Sequence, residues 1–252
     1  MTALVRCDVS DLVAVVTLDD PDRRNAINAA MNDELLALFD SLESREDVRA
    51  VVVTGAPPAF CAGADLSVLR SAGDADGLRS IYSGFLRVAS TSLPTVAAVN
   101  GAAVGAGVNM ALACDVIVAG ESARFDSRFL RIGIHPGGGH LWRLARKTSD
   151  QTARAMVLFG EVLDGRRAAE VGLAWRCVPD AALLDDAVAL ARGACDAPPA
   201  LAGRTKQTLD SLAAVTSPDA AVDAELEPQA WSTTTPEFAD MLAKLKARIS
   251  SR

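Results

Sequence analysis

Apolar and polar positions along this chain follow two rhythms, strand-like and helix-like, which exchange places through the first half and give way to helical spacing in the second. Residues 12–18 (LVAVVTL) are β-branched and apolar. Residues 4–9 can pair with them across the turn at Ser10 and Asp11, so a hairpin opens the fold. A polar turn over 19–25 leads to a helical pattern over 29–43, with Met31, Leu35, Leu38, Phe39 and Leu42 on one face. Residues 50–54 (AVVVT) read as a fully buried strand. Gly73 and Gly77 break the segment that follows and mark a candidate mobile lip, after which Ile81, Tyr82, Phe85, Leu86 and Val88 resume helical spacing over 78–89. Strands are predicted at 95–99 and 115–119, with a helix between them ending at Ala113. The recurrence of strand, loop, helix and strand predicts parallel strands joined by right-handed crossovers, an α/β fold.

From Ser149 onward strand patterns nearly vanish. Helices are predicted at about 151–159, 165–171, 181–195, 201–212, 219–231 and 237–249. The last has a well-formed start, with Thr235 as N-cap, Pro236 at the first helical position and Glu237 behind it. The expected division is a strand-bearing core over 1–180 and a helical region over 181–252 that wraps the core or builds an oligomer.

Composition narrows the classes. Half of the 252 residues are apolar and 23% are charged, which reads as globular. A net charge of -7 argues against a nucleic-acid partner, whose phosphates are neutralised by Lys and Arg. Cys7, Cys61, Cys114, Cys177 and Cys195 are odd in number, far apart and without a CxxC pair, so neither a disulfide framework nor a zinc cluster is expected. Charges in the opening residues 1–8 interrupt what a signal peptide would need, and no later apolar run reaches membrane-spanning length. The expected location is a reducing cytoplasm, with no membrane partner.

Two stretches of very small residues, 59–66 (AFCAGADL) and 100–109 (NGAAVGAGVN), each follow a predicted strand. Small side chains allow close backbone approach, and a helix start leaves amide N–H groups without intrahelical partners. Two such turns aimed at one point make a site for developing negative charge. The glycines at 101, 105 and 107 lack the GxGxxG spacing of a dinucleotide loop, and no GxSxG of a serine hydrolase is present.

Taken together, Arg24-Asn25-Ala26-Ile27-Asn28, residues 59–66 and 98–113, Cys114-Asp115, and residues 133–139 and 168–173 resemble the enoyl-CoA hydratase/isomerase (crotonase) superfamily over roughly residues 10–180. The resemblance implies a spiral of ββα repeats followed by a helical trimerisation region, hence a homotrimer or a dimer of trimers. It implies an acyl-CoA substrate, no cofactor beyond coenzyme A as the carrier part of that substrate, and no metal. An enolate-like thioester oxygen would lie between the backbone amides of Ala64 and Ala106, and losing one such donor typically costs ~3 kcal/mol of barrier. The coenzyme A moiety would lie against the turn of Arg24 and Ala26 and the backbone of Ala62, Asp65 and Leu66.

The chain departs from the family at the two glutamates that hold water and exchange protons. Their positions carry Asn109 and Phe129, neither of which can act as a carboxylate base. Asp126, Arg128, His135 and His140 lie in or near the altered segment, and His135 and Asp126 are taken as substitutes for the missing carboxylates. The histidine pair has no evident third ligand, so it does not suggest a metal site. The resemblance thus implies an acyl-CoA hydratase-like lyase or isomerase; the rival is a non-catalytic acyl-CoA binder that keeps the amides and lacks the acid/base groups.

Overall fold

The protein was analysed as a computed structural model that describes residues 3–71 and 73–250, so the reading placed on Met1 and Thr2 and the outer limits of the two expected regions lie outside the described residues. Strand β1 (Val5–Ser10) turns into β2 (Val13–Leu18) through Asp11 and Leu12, both at positive φ, and the two pair antiparallel as the expected hairpin. Helix α1 (Ala29–Glu43) starts where Asn28 accepts from the Met31 amide, and it buries Met31, Leu35, Phe39 and Leu42. Strand β3 (Ala50–Gly55) follows, then β4 (Ala59–Cys61), α2 (Leu66–Ser71) and α3 (Ala75–Ser90). Helix α3 begins three residues before the sequence pattern suggests, because Asp74 accepts from the Gly77 amide at 2.9 Å and caps it.

Next come β5 (Thr95–Val99), β6 (Ala102–Val104), α4 (Ala106–Ala113), β7 (Val116–Gly120) and β8 (Arg124–Asp126). A short 3-10 turn at Phe129–Ile132 leads to α5 (His140–Lys147), α6 (Asp150–Leu158), β9 (Leu163–Asp164), α7 (Gly165–Glu170), β10 (Arg176–Val178) and α8 (Leu183–Arg192).

The strands form two sheets. One runs in the order β1-β2-β3-β5-β7-β10, parallel throughout except at the opening hairpin, and the other in the order β4-β6-β8-β9. Strands β3 and β5 are buried along nearly their whole length, as parallel strands covered on both faces must be. The second sheet adds short strands at 59–61 and 102–104 inside the two small-residue stretches that the sequence marks as turns. Its strands are two or three residues long and carry no alternation for a pattern to reveal. Strands β4, β6 and β8 each follow a longer strand of the first sheet and precede helical turns, which is the ββα unit expected from the resemblance, whereas β9 follows α6.

The chain divides into two compact units, one ending at Ala194 and the other beginning at Cys195, not at 180/181. The shift has a physical reason: α8, expected to open the helical region, packs on β3, β5 and β7 through buried Leu183, Ala187 and Ala191. The second unit holds α9 (Pro199–Ser211), α10 (Pro218–Ser232) and α11 (Pro236–Ser250). Each of these helices has proline at its first position, where the missing N–H would have no intrahelical partner in any case. Thr235 caps α11 as expected, accepting from the Phe238 amide at 3.2 Å. Arg204 of α9 lies over the Trp231 ring of α10 at 4.3 Å.

Candidate active site

Strands β4 and β6 pair in parallel, Ala59 with Ala102 and Cys61 with Ala103, so the residues after each leave the sheet side by side. Glycine makes the approach possible at two positions. Gly63 has φ 104, and a Cβ there would lie 2.7 Å from the Val104 carbonyl oxygen and 3.8 Å from the Ala106 amide nitrogen. A Cβ at Gly107 would lie 2.1 Å from the carbonyl oxygen of Cys61. The small residues therefore do seat one turn against the other.

Backbone hydrogen bonding leaves one donor free in each turn. The Ile27 amide donates to the Gly63 carbonyl (2.7 Å) and the Asp65 amide donates to the Ile27 carbonyl (2.8 Å). In this parallel bridge Ala64 makes neither bond, and its N–H faces away from Ile27. Ala106 is the first residue of α4, whose N-cap, Gly105, has no side chain with which to cap. Among the described residues no protein acceptor takes the N–H of Ala64 or Ala106. Both residues line a cavity of about 580 Å³, together with Leu66, Ile81, Tyr82 and Phe129, and that size suits a small-molecule site. Gly73, Asp74 and Leu78, from the glycine-marked break, also form part of its wall.

Asn109, one turn after Ala106, is buried in the wall; Phe129, half-buried, also lines it, with its ring 4.9 Å from that of His140 and edge-on to it. The structure thus brings Asn109 and Phe129, the two positions at which the resemblance would place glutamates, to one cavity. His135 also lines it, with Nδ1 held 2.7 Å from its neighbour's Pro136 carbonyl. That carbonyl can only accept, so Nδ1 carries a hydrogen. Asp126 is not in the wall: its Oδ2 accepts from Arg128 at 2.9 and 2.6 Å, and its buried Oδ1 has no partner. The expectation that Asp126 replaces a glutamate is corrected accordingly. As an i+2 neighbour, Arg128 turns back on it through a left-handed backbone at φ 51.

His140 and Ser127 emerge instead. Ser127 Oγ lies 2.5 Å from His140 Nε2, and His140 Nδ1 lies 2.7 Å from Asn109 Oδ1. Burial pushes the His140 pKa down to about 4, so the ring is neutral at ordinary pH. Ser127 was legible only as a hydroxyl within the altered segment, since thirteen residues separate it from His140 and no motif links them. Cys61 is not a competing nucleophile, because burial pushes its thiol up to about 12.

The residues expected near coenzyme A are partly committed to the fold. The Ala62 amide donates to the Arg24 carbonyl (2.9 Å), and the Ala26 amide donates to the Arg23 carbonyl (3.2 Å). Asp65 uses Oδ1 on the Ser67 amide and hydroxyl at the head of α2, while Leu66 is exposed in the cavity wall. Asn25, which carries the resemblance but is given no role by the sequence, holds this turn together. It is buried at φ 58, donates to the carbonyls of Ala56 (2.8 Å) and Ala59 (2.7 Å), and accepts from the Asp20 amide.

Comparison with known proteins agrees with this geometry. The enoyl-CoA hydratase/isomerase family model matches residues 8–237. The chain is 47% identical to the probable enoyl-CoA hydratase EchA14 of Mycobacterium tuberculosis, over 97% of this chain and 98% of that one. It is 31% identical to the 1,2-epoxyphenylacetyl-CoA isomerase of Escherichia coli, over 99% of this chain and 98% of that one. The solved enoyl-CoA hydratase of Bacillus anthracis superposes with a TM-score of 0.90 at 25% identity, covering 97% of this chain and 96% of that structure. With paired small-residue turns, crotonase-type sheets and similarity along nearly its whole length, the chain belongs to the enoyl-CoA hydratase/isomerase family.

Proposed function

We propose that this protein is an acyl-CoA enzyme of the hydratase or isomerase type that binds the thioester carbonyl oxygen between the amides of Ala64 and Ala106. One observation carries the reading: two adjacent turns each present an N–H that the fold leaves unused, in the wall of one cavity. A thioester oxygen gains negative charge when a bond is made or broken at its α or β carbon, and two fixed donors stabilise that charge. The exposed Arg24 makes no ion pair among the described residues and is available to a coenzyme A phosphate. Ala26, Ala62, Asp65 and Leu66 flank the same path.

Hydration through two carboxylates is not the expected chemistry. General acid/base groups typically contribute ~10²- to 10⁴-fold each, and Asn109 and Phe129 supply neither. A homotrimer or a dimer of trimers is proposed from the exposed apolar residues of the second unit, among them Phe238, Met241, Leu245 and Ile249. A cytoplasmic location is proposed from the five cysteines, none of which forms a disulfide; among the described residues no helix is long and apolar enough to cross a membrane.

The test is Ala106→Pro, which deletes one donor at the first helical position, where proline is tolerated. A conjugated acyl-CoA should shift its absorbance to longer wavelength on binding to the parent and lose most of that shift in the folded variant. An equal shift in both would remove Ala106 from the oxyanion site. Binding without turnover of any enoyl-CoA by the parent would favour the non-catalytic reading.

A further inference from the structure

The cavity lacks carboxylates at 109 and 129, yet a chain of hydrogen bonds runs through its wall from α4 through α5 to the segment after β8. Asn109 Nδ2 donates to the Gly137 carbonyl at 3.0 Å. A carbonyl can only accept, so the amide orientation is settled and Oδ1 faces His140. Oδ1 also only accepts, so His140 Nδ1 carries the ring hydrogen and Nε2 holds a lone pair. The Ser127 hydroxyl therefore donates to Nε2, and Ser127 Oγ keeps its own lone pairs. All three residues are at most 2% exposed, and Ser127 and Asn109 line the cavity beside Ala64 and Ala106.

We propose that Ser127, backed by His140 and Asn109, is the proton-transferring group of this site, and that the reaction it serves is a 1,3 proton shift bringing the double bond of a β,γ-unsaturated acyl-CoA into conjugation with the thioester. This rests on the acyl-CoA reading above. Ser127 Oγ takes a proton from Cα as its own proton passes to His140 Nε2. The electron pair of the broken C–H bond forms the dienolate, whose negative oxygen lies between the Ala64 and Ala106 amides. The proton on Nε2 then returns through Oγ to Cγ, the thioester carbonyl re-forms, and the double bond ends between Cα and Cβ. No atom or electron is gained or lost, and the relay regains its starting state.

The choice of a proton shift over hydration follows from counting groups. Adding water needs acceptors that hold the water against Cβ as well as a group that delivers a proton to Cα. A 1,3 shift needs a single group that removes a proton and returns it, and one relay is present. Asn109 serves as a positioning residue, fixing the tautomer through a hydrogen bond that a carboxylate at that position would make with full charge.

The test follows conversion of but-3-enoyl-CoA to crotonyl-CoA by the absorbance of the conjugated thioester, with binding of butanoyl-CoA measured by calorimetry. The parent should turn over, and Ser127→Ala should lower kcat by ~10²-fold or more while butanoyl-CoA binding stays within about twofold. His140→Gln should behave alike; if it fails to fold, Ser127→Ala, which removes a single oxygen, decides. Unchanged kcat in Ser127→Ala overturns the proposal, as does loss of binding in step with kcat, which would make the residue structural. An acyl group found on Ser127 by mass spectrometry during turnover also overturns it and assigns a nucleophile. A parent that binds butanoyl-CoA without isomerising but-3-enoyl-CoA overturns the relay and leaves the acyl-CoA reading standing, whereas a parent that does not bind overturns both.

Discussion

Gly107→Ala tests how the two amides are held together. The added Cβ would meet the Cys61 carbonyl oxygen at 2.1 Å and its carbon at 2.9 Å, both backbone atoms of β4 that no rotamer change can move. Cβ atoms essentially never approach closer than 3.0 Å and ordinary contact begins at 3.4 Å, so α4 and the first turn must separate by about an ångström. Overpacking of this kind costs roughly 1–3 kcal/mol of stability. The same displacement carries the Ala106 amide away from the Ala64 amide, and a lost donor is worth ~3 kcal/mol of barrier, or on the order of 10²-fold in rate. Urea unfolding and the absorbance shift of a conjugated acyl-CoA measure the two effects on one sample. The expected variant is folded, less stable and unable to polarise the thioester. A variant with parental stability and a parental absorbance shift would show that the two turns do not depend on contact at Gly107.

The remaining predictions concern charge and capping. Glu43 accepts from the Thr91 hydroxyl (2.7 Å), the Ser92 amide (2.7 Å) and Arg87 (2.5 Å); burial works to raise its pKa, but these partners outweigh it and bring it to about 2. Its folded pKa is below the unfolded value of about 4.3, so its contribution is complete above that pH and is lost as pH falls toward 2. Glu43→Gln should cost about 1 kcal/mol at neutral pH, after discounting for solvent screening, and a parent-minus-variant difference that did not shrink on acidification would refute the assignment. Asn109→Asp places a carboxylate where Oδ1 now lies 2.7 Å from Nδ1, and should raise the His140 pKa above about 4 in an NMR titration; an unmoved titration would contradict the hydrogen-bond chain. Thr235→Ala should cost about 1 kcal/mol and speed amide exchange in α11 while leaving α4 unchanged; equal effects on both helices would contradict a local cap.

The long elements were legible because burial writes a period into them. Met31, Leu35, Phe39 and Leu42 mark α1, and the unbroken apolar run at 50–54 marks β3, within a residue of the observed limits. The small-residue turns were legible for a related reason, since Gly63 and Gly107 stand where any Cβ would strike a backbone atom. The boundary at Ala194 was not, because an amphipathic helix such as α8 does not record whether its apolar face meets a sheet or another helix. Nor was the relay. Asn109, Ser127 and His140 come from α4, the segment after β8 and α5, and only the fold brings them within hydrogen-bond reach. Asp126 illustrates the converse: a carboxylate in the right segment, turned away by its pairing with Arg128.

The most direct test of the account is a crystal structure of the protein with butanoyl-CoA bound. The account predicts the thioester oxygen within about 2.7–3.1 Å of both the Ala64 and the Ala106 amide nitrogens. A thioester oxygen bonded to neither amide, with the acyl chain elsewhere than in the cavity lined by Asn109 and Phe129, would contradict it.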